Sequence, residues 1–485
     1  MPLLWLALVV VVGLCLYTLY TWWSGRLAGV PGPWGLPVVG YLPFVGTKMN
    51  ETLTELARVY GPVYQLQMGS RRVLVLSGHA AIKEAVAKGR PFAGRPDFKS
   101  YEGFGVFGEP GYTEKQRMCK KLTLQAMNLF AVERRADLQE VAWNAVDMLM
   151  DELKNQDGQP FDPKPTLYSV AWTIMGYICY GKFFNKDDPE VVEILRTADS
   201  FARVVMFGAI TDYMPWTTTF LKSKLVALAE LTAKIRAQSL KLAQLNFRSW
   251  DGESLRTMAD MFRKSAQDFD EDGLVEMNDA QLQAMLTNLF GAGFATVAVT
   301  VKWGLLLVAK HPDVQERMQE ELDQVLGADG RATFDDQQRL PYCNAVLNEV
   351  YRVSSMAALA MTHATVSDTT VGGFSVPAGT PVVFNLFSCH RDEALFPQPR
   401  RFKPDRFLSD PSLASWVLPY GLGARRCGGE VLAKMEIFLF FVTLVHECRL
   451  RESPSTPLDA DDYVFGLGLD PKPFQLIFES RKALW

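Results

Sequence analysis

The pattern of apolar and polar positions predicts a protein built mainly of helices. Amphipathic helical patterns dominate between about 115 and 325. An unusually apolar run over 282–309 predicts a helix buried on every side. Two further helices are predicted at 311–327, which starts with Pro-Asp and ends with glycine, and at 432–445.

A smaller β component is predicted from short apolar runs bounded by turn residues. Segment 63–78 has the pattern of a hairpin closed by Gly69 and Ser70. Region 364–388 contains short strand-like pieces separated by glycine and proline. The charge-rich region 253–281 is expected to form a surface helix with a loop. The fold class is therefore mainly α with a minor β region.

The N-terminus differs from the rest of the chain because residues 3–23 contain no charge. A helix of that length spans roughly 31 Å, which is the thickness of the hydrocarbon core of a bilayer. A cleaved signal peptide is the competing interpretation, although such peptides usually have a basic start and a shorter apolar core. We expect an anchor helix over 1–25, a proline-rich hinge over 26–45 and a folded domain over 46–485.

Composition and charge exclude several classes of protein. Hydrophobic residues make up 48% and charged residues 21% of the 485 residues, as in a globular protein with a large core. The net charge of −4 argues against a nucleic-acid binder that relies on a positive field. The seven cysteines are odd in number and form no C-x-x-C pair, so neither a disulfide framework nor a zinc site is indicated.

The stretch LPYGLGARRCGGEVLA at 418–433 carries the chemistry. Cys427 precedes a helical pattern, and a helix N-terminus favours a thiolate over a thiol. The flanking glycines, Gly421, Gly423 and Gly429 among them, allow the backbone to approach a flat ligand closely. Arg425 could pair with a carboxylate of the same ligand. The alternative is a buried structural cysteine in a glycine-rich turn.

This stretch resembles the haem-binding loop of the cytochrome P-450 superfamily, F-x-x-G-x-R-x-C-x-G-x-x-L-A, with tyrosine in place of the leading phenylalanine. The matching positions are Tyr420, Gly423, Arg425, Cys427, Gly429, Leu432 and Ala433. The resemblance implies the cytochrome P-450 fold, with haem b (iron protoporphyrin IX) between a distal and a proximal helix. It further implies that Cys427 is the thiolate ligand of the haem iron and that Arg425 holds a propionate.

Other motifs follow in the order of that family. NEVYR at 348–352 and FKPDRF at 402–407 imply a buried structural triad of Glu349, Arg352 and Arg406. His363 stands where the family places a contact to the other propionate. The proline-rich hinge is also similar to that of microsomal members. FAGRPD, FGAGF and GFSVPAGTPVVFN resemble the animal family-1 and steroid 17-hydroxylase groups.

The chain departs from the family pattern in the helix that usually carries W-x-x-x-R, whose tryptophan and arginine contact a propionate. Tyr112 and Gln116 stand at these two positions, and Arg117 follows one residue late. We expect Arg117 to reach the cofactor by a small shift of the helix.

A second departure lies in the distal motif A/G-G-x-D/E-T, which here comprises Ala292, Gly293, Phe294, Ala295 and Thr296. By resemblance, the glycine lets the helix pass close to the haem. The threonine hydroxyl loosens the helix and organises water for proton delivery together with the acid. Here the hydroxyl is present, and Ala295 replaces the acid.

Three functions follow from this pattern. The first is a membrane-anchored monooxygenase that inserts one oxygen atom of O2 into a steroid, fatty acid or aromatic xenobiotic. The second is a hydroperoxide or endoperoxide isomerase, which needs neither O2 nor a proton relay and thus tolerates alanine at 295. The third is a non-catalytic haem-binding protein, which the complete thiolate loop disfavours.

Partners and location follow from the first function. Electrons would come from NADPH through NADPH-cytochrome P-450 reductase, with cytochrome b5 as a second donor. The docking candidates on a basic proximal face are Arg117, Lys120, Lys121, Arg426 and Lys434. We expect the endoplasmic reticulum membrane, a cytoplasmic catalytic domain and no nucleic-acid partner. An apolar substrate would contact Phe104, Phe107, Phe207, Phe290, Phe294 and Ala358, each of which could equally be core.

Overall fold

A computed structural model describes residues 2–24, 27–156, 158–182, 210–221, 249–271 and 278–481, with scattered single positions between 226 and 248. Its helices, numbered here in chain order, are α1 Pro2–Ser24, α2 Met49–Tyr60, α3 His79–Ala87, α4 Glu114–Asn128, α5 Arg135–Lys154, α6 Lys164–Tyr180, α7 Ile210–Tyr213, α8 Met258–Glu271, α9 Asp279–Lys310, α10 Pro312–Leu326, α11 Pro341–Ser354, α12 Leu386–His390, α13 Asp405–Ser409 and α14 Glu430–Glu447.

The strands are β1 Val63–Met68, β2 Arg71–Ser77, β3 His363–Ala364, β4 Thr369–Val371, β5 Phe374–Val376, β6 Pro381–Asn385, β7 Cys448–Glu452, β8 Tyr463–Phe465, β9 Leu469–Pro471 and β10 Leu476–Ser480. One sheet has the order β1-β2-β6-β3, in which β2 and β6 are parallel. The pairs β4–β5, β7–β10 and β8–β9 are separate antiparallel ribbons. The mainly α fold with a minor β part is thus confirmed.

The helix α9 forms the centre of the core. It starts with a capping box between Asn278 and Gln281, which satisfies backbone N–H groups at its first turn. It packs against α6 and α14, which are themselves almost entirely buried along their apolar faces. By length and composition α9 could cross a membrane, but 78% of its apolar window is buried, so it is a core helix.

The predicted hairpin at 63–78 is confirmed. Strands β1 and β2 pair with Val63 opposite Leu76, and Gly69 and Ser70 form the turn. Gly69 has φ +56°, and a Cβ there would lie 2.5 Å from the carbonyl oxygen of Tyr213. Glycine is therefore required both by the turn and by the close approach of α7.

The charge-rich region 253–281 is less superficial than predicted. Met258, Ala259 and Phe262 of α8 are completely buried. The sequence prediction was wrong here because polar residues outnumber apolar ones in this region. A narrow stripe of apolar residues along one face is nevertheless enough to pack a helix against the core.

The segment between the N-terminal helix and the main domain lies against β1. Gln65 donates to the carbonyl oxygens of Leu27 and Val30 at 3.1 and 2.6 Å, and it accepts from the Leu27 N–H at 3.0 Å. Leu27 and Val30 are buried. By contrast, the large apolar side chains described in α1 are exposed: Trp5, Leu6, Leu8, Val9, Val10, Val11, Val12, Leu16, Tyr17 and Tyr20.

Candidate active site

Cys427 ends a tight glycine loop immediately before α14. Its N–H donates to the carbonyl oxygen of Tyr420 at 2.9 Å, which closes the loop. A Cβ at Gly428 would lie 2.8 Å from the side chain of Thr123 on α4, so glycine lets the loop pack against that helix. Cys119, Cys179, Cys343, Cys389 and Cys448 are buried, whereas the Cys427 side chain is exposed and accessible to a ligand.

The surroundings of the Cys427 sulfur have opposing effects on its ionisation. Desolvation raises the pKa of the thiol, while the Gly429 N–H directed at the sulfur lowers it. The pKa of the free thiol is raised overall, although the Gly429 N–H acts in the direction that the sequence predicted for the start of α14. Desolvation by the surrounding loop outweighs this N–H, and a bound metal ion would supply the remaining stabilisation of the thiolate.

Arg425 and His363 line the same small cavity, next to Gly423. Arg425 donates to the carbonyl oxygen of Ala93 at 2.7 Å, and the His363 Nδ1 lies 2.8 Å from the carbonyl oxygen of Phe92. Burial lowers the pKa of His363 well below its ordinary value, so its imidazole is neutral. Gly421 has φ +69° and Gly423 φ +65°, so both need the conformational freedom of glycine.

Arg95 is a second cationic group close to this cavity, where its charge acts on both His363 and Arg425, and sequence reasoning missed it. It donates to the carbonyl oxygens of Met361 and Thr362 at 2.7 and 3.0 Å, while its buried Nε has no described partner. Burial lowers the pKa of Arg95 to about 10, and burial together with Arg95 lowers that of Arg425 to about 9. In the described ranges no carboxylate forms an ion pair with either arginine. The cavity therefore favours an anion.

Arg117 does not reach this cavity, contrary to the prediction. Its guanidinium pairs with Glu114 on the exposed side of α4. Gln116 is buried instead, and its Oε1 accepts from Arg425 at 2.8 Å. Tyr112 lies beneath the Arg425 guanidinium, 4.9 Å from the ring centre. One residue along a helix is a rotation of about 100°, which a small shift cannot correct.

Thr296 and Ala292 lie on the open face of α9. Ala292 is exposed, and Gly291, Ala295 and Thr296 are half-buried. The Thr296 hydroxyl donates to the Ala292 carbonyl oxygen at 2.8 Å, and α9 continues without interruption to Lys310. No carboxylate in the described part of the chain hydrogen-bonds to Thr296.

Gly293 has a different role from the one predicted. A Cβ at this position would lie 2.5 Å from the Met175 sulfur on α6. Gly293 therefore permits close packing of α9 against α6 rather than against a ligand on the open face. The helical period places residue 293 on the core side and residue 292 on the open side.

Phe290 and Phe294 also face α6, so of the two alternatives, pocket or core, the structure favours the core. Both are buried against Trp172, with ring centres 4.2 and 5.1 Å away. Ala358 does line a cavity, together with Tyr101, Leu359 and the hairpin tip at 465–469. Phe104 and Phe107 are half-buried in a 3₁₀ segment, where Asn288 of α9 donates to the Phe104 carbonyl oxygen at 3.1 Å. Phe207 lies outside the described residues.

Glu349, Arg352 and Arg406 are brought together in the core. Arg352 donates twice to Glu349, at 2.7 Å each, and Arg406 donates to the same carboxylate at 3.3 Å. Arg352 also binds the carbonyl oxygens of His390, Pro399 and Arg401. The His390 ring in turn accepts from the Leu418 N–H at 2.8 Å, which connects this cluster to the cysteine loop.

These features define a haem-thiolate protein. The family model for cytochrome P450 matches residues 30–478. The chain is 31% identical to cytochrome P450 1A1 of Rattus norvegicus over 459 residues, which cover 90% of this chain and 88% of the relative. It is 32% identical to cytochrome P450 1B1 of Homo sapiens over 478 residues, which cover 94% and 88%. The chain belongs to the cytochrome P450 family.

The residues present fit haem b, the cofactor of that family. The orphaned Nε of Arg95 and the carboxylate-free cationic cavity suit the two propionates. The exposed Cys427 would supply the sulfur donor that iron requires in this family. Reducing equivalents from NADPH reach such a site indirectly, through a reductase.

Proposed function

We propose that this protein is a membrane-anchored haem-thiolate monooxygenase that inserts one oxygen atom of O2 into an apolar substrate. Steroids, fatty acids and aromatic xenobiotics are the substrate classes that an apolar cavity would accept. The observation that carries the proposal is the accessible Cys427 beside a cavity in which Arg95 and Arg425 have no acidic partner.

Each site residue has a distinct task in this proposal. Haem b, when bound, supplies the redox chemistry for O–O cleavage and oxygen transfer. Cys427 would bind the iron, while Arg95, Arg425 and His363 would hold the propionates. Gly421, Gly423 and Gly429 shape the loop around the cofactor. The buried triad of Glu349, Arg352 and Arg406 keeps that loop in place.

Thr296 acts on the proton supply. Its hydroxyl donates to the Ala292 carbonyl oxygen in the described structure, and rotation about its side chain would free it to bind a water molecule. Ala292 leaves the adjoining surface open for that water. The methyl group of Ala295 offers no second oxygen, so proton delivery relies on Thr296 and water.

The peroxide isomerase is retained as a second candidate because of Ala295. Isomerisation of a hydroperoxide or endoperoxide needs no external protons, and Thr296 has no acidic partner in the described ranges. A direct comparison separates the two functions: apolar substrates with reductase and NADPH, and fatty-acid hydroperoxides without either. Turnover restricted to the hydroperoxide arm would reject the monooxygenase.

The cysteine assignment has its own test. Wild-type protein, once reduced and exposed to carbon monoxide, should show the thiolate-type Soret band, and Cys427→Ala should lose it. Cys15→Ala, at the other exposed cysteine in the described part, is the matched control and should keep the band. Persistence of the band in Cys427→Ala would reject the thiolate assignment.

The membrane arrangement also belongs to the proposal. Residues 1–25 would anchor the protein in the endoplasmic reticulum membrane, 26–45 would form the hinge, and 46–485 would be the cytoplasmic haem-thiolate domain. The exposed apolar surface of α1 supports the anchor. The attachment of Leu27 and Val30 to Gln65 supports a hinge that holds the domain in a fixed pose.

A reductase would bind the surface around the cysteine loop, and cytochrome b5 would compete for it. Lys120 donates to the carbonyl oxygen of Arg426, and Arg426 and Lys434 both pair with Glu430. Lys121 and Arg117 extend this basic surface along α4. Reversal of the charges at Lys121 and Lys434 should slow reduction of the haem, with the rate restored at saturating reductase.

A further inference from the structure

A buried lysine interrupts the long, apolar core helix α9. Lys302 lies on α9, six residues after Thr296, and only 1% of it is exposed. Its Nζ donates to Asp470 Oδ1 at 2.9 Å and to the carbonyl oxygen of Pro471 at 2.6 Å. Burial lowers the pKa of Lys302, and Asp470 partly offsets that effect. Because burying an ammonium group is costly, core packing alone does not explain this side chain.

Both acceptors belong to β9, the second strand of the β8–β9 hairpin. The neighbouring Trp303 donates from its indole nitrogen to the carbonyl oxygen of Leu469 at 2.8 Å. Lys164 at the start of α6 donates to the second carboxylate oxygen of Asp470 at 2.8 Å. Two helices therefore hold β9 through one partly buried carboxylate and two backbone carbonyls.

The tip of the same hairpin forms a wall of the apolar cavity. Residues 465–469 face Met356 and Ala358 across that cavity. The Leu469 N–H donates to the Met356 carbonyl oxygen at 2.8 Å, and a Cβ at Gly468 would lie 2.7 Å from the Met356 sulfur. Because the two walls already touch, a small movement of the hairpin changes the shape of the cavity.

We propose that Lys302 is a positioning residue that, through Asp470 and Pro471, fixes the β8–β9 hairpin as a rigid wall of the substrate cavity and thereby determines which apolar substrates fit. This inference rests on the proposed function, because it takes the cavity beside Ala358 to be the substrate site. Lys302 itself touches neither substrate nor cofactor.

The test compares Lys302→Met with Lys310→Met. Lys310 lies on the same helix and donates to the carbonyl oxygen of Leu458 at 2.8 Å, outside the hairpin. Lys302→Met should speed amide hydrogen exchange over 463–471, and Lys310→Met should not. In haem-loaded protein, Lys302→Met should weaken binding of a phenyl-substituted imidazole about tenfold, because a mobile wall must be ordered on binding. Binding of unsubstituted imidazole, which is too small to reach the wall, should stay constant.

Either of two results would overturn the inference: unchanged exchange over 463–471 in Lys302→Met, or equal changes in affinity for the two imidazoles. If Lys302→Met does not fold, Asp470→Asn replaces it, because Asp470 is the partly exposed partner of Lys302. Asp470→Asn should give the same faster exchange over 463–471 and the same loss of affinity for the phenyl-substituted imidazole alone. Wild-type protein that binds no haem would reject the proposed function instead. Exchange over 463–471 would still decide whether Lys302 holds the hairpin.

Discussion

Arg95 carries a charge that nothing in the described part of the chain neutralises. Its Nε is buried without a partner, and burial lowers its pKa to about 10. Such a group gains a charge-assisted hydrogen bond when a carboxylate binds, which is worth about 1.5–3 kcal/mol. The site is therefore strained electrostatically until an anion enters it.

From this we expect Arg95→Leu to speed the loss of haem to an acceptor protein by roughly 10- to 100-fold. The matched control is Arg451→Leu, an exposed arginine paired with Glu479 on the surface. Haem transfer followed by the Soret absorbance gives the rate. Equal rates for wild type and Arg95→Leu would show that this guanidinium does not hold the cofactor.

Ala295 stands beside Thr296 on α9, where the methyl group offers no oxygen for proton delivery. We expect Ala295→Asp to raise the fraction of NADPH that ends in product, because a carboxylate there can order water beside Thr296. Ala295→Asn, of similar size but without an acid, should raise it far less. Product, hydrogen peroxide and NADPH consumption are measured together. An unchanged product fraction in Ala295→Asp would argue against a limiting proton supply.

Glu436 is a buried acid on α14, nine residues after the cysteine. Desolvation raises its pKa from 4.5 to about 8, and its Oε2 has no described hydrogen-bond partner. The folded state therefore keeps a proton that the unfolded chain loses. The free energy of unfolding should fall as pH rises from about 4.5 to about 8, by at most about 5 kcal/mol, and then level off.

Replacing this acid should remove that pH dependence. We expect Glu436→Gln to unfold at nearly constant temperature across this pH range and to gain most over wild type near pH 8. Glu479→Gln, at a partly exposed carboxylate, is the control and should keep the wild-type slope. Melting curves recorded by circular dichroism give the unfolding temperature at each pH. If the unfolding temperature of Glu436→Gln fell with pH as steeply as that of wild type, the raised pKa would not belong to Glu436.

Single site residues could be predicted from the sequence where they belong to a short recognisable motif. The cysteine loop and the triad form contiguous motifs, so their members could be named from sequence. Arg95 could not, because a lone arginine between glycine and proline shows no ligand pattern until the fold places it beside Arg425. Gly293 was assigned to the wrong face because a motif gives residue identities but not the phase of the helix.

At the level of elements, α9 separates two environments along one helix. The face of Phe290, Gly293 and Phe294 packs on α6, while the face of Gly291 and Ala292 is open. Nothing lies within 4 Å of a Cβ built at Gly291. Two glycines two residues apart should thus respond oppositely to substitution.

We expect Gly291→Ala to raise the free energy of unfolding by up to about 1 kcal/mol, since alanine is the better helix former. Gly293→Val should lower it by about 1–3 kcal/mol through overpacking against Met175. Thermal or denaturant unfolding measures both. Similar effects for the two variants would mean that the helix faces are misassigned.

Helices and strands that are bounded by clear turn or capping residues in the sequence were predicted well. The hairpin closed by Gly69 and Ser70 and the helix that ends before Gly327 match the structure within two residues. Elements whose environment is set by distant partners were not. Burial of α8 depends on contacts with α9 and α4, which no local pattern encodes.

At the level of the whole molecule, two exposed apolar segments lie beside one hairpin turn. The Gly69 N–H donates to the carbonyl oxygen of Val39, and the Ser70 N–H donates to that of Tyr213. The adjoining segments expose Trp34 by 64% and Phe220 by 78%. Both segments therefore present exposed aromatic side chains that suit contact with a lipid bilayer.

We expect protein lacking residues 2–24 still to bind phosphatidylcholine vesicles weakly. Changing both Phe220 and Trp216, which is 52% exposed, to serine should reduce that binding about 100-fold or more, since each exposed aromatic contributes roughly 1.5–3 kcal/mol when buried in lipid. Val132→Ser, at a side chain 63% exposed elsewhere, is the control. Vesicle flotation measures binding, and equal binding of all variants would reject this lipid contact.

The arrangement around Arg352 has a consequence for the order of folding. The Arg352 guanidinium donates to the carbonyl oxygens of residues 390, 399 and 401. The His390 ring then accepts a hydrogen bond from the N–H of residue 418. Contacts between segments so far apart form only after the chain entropy of the intervening loops has been lost. The cysteine loop should therefore become ordered only after these loops have closed, and haem should enter a loop that is already formed rather than nucleate its folding.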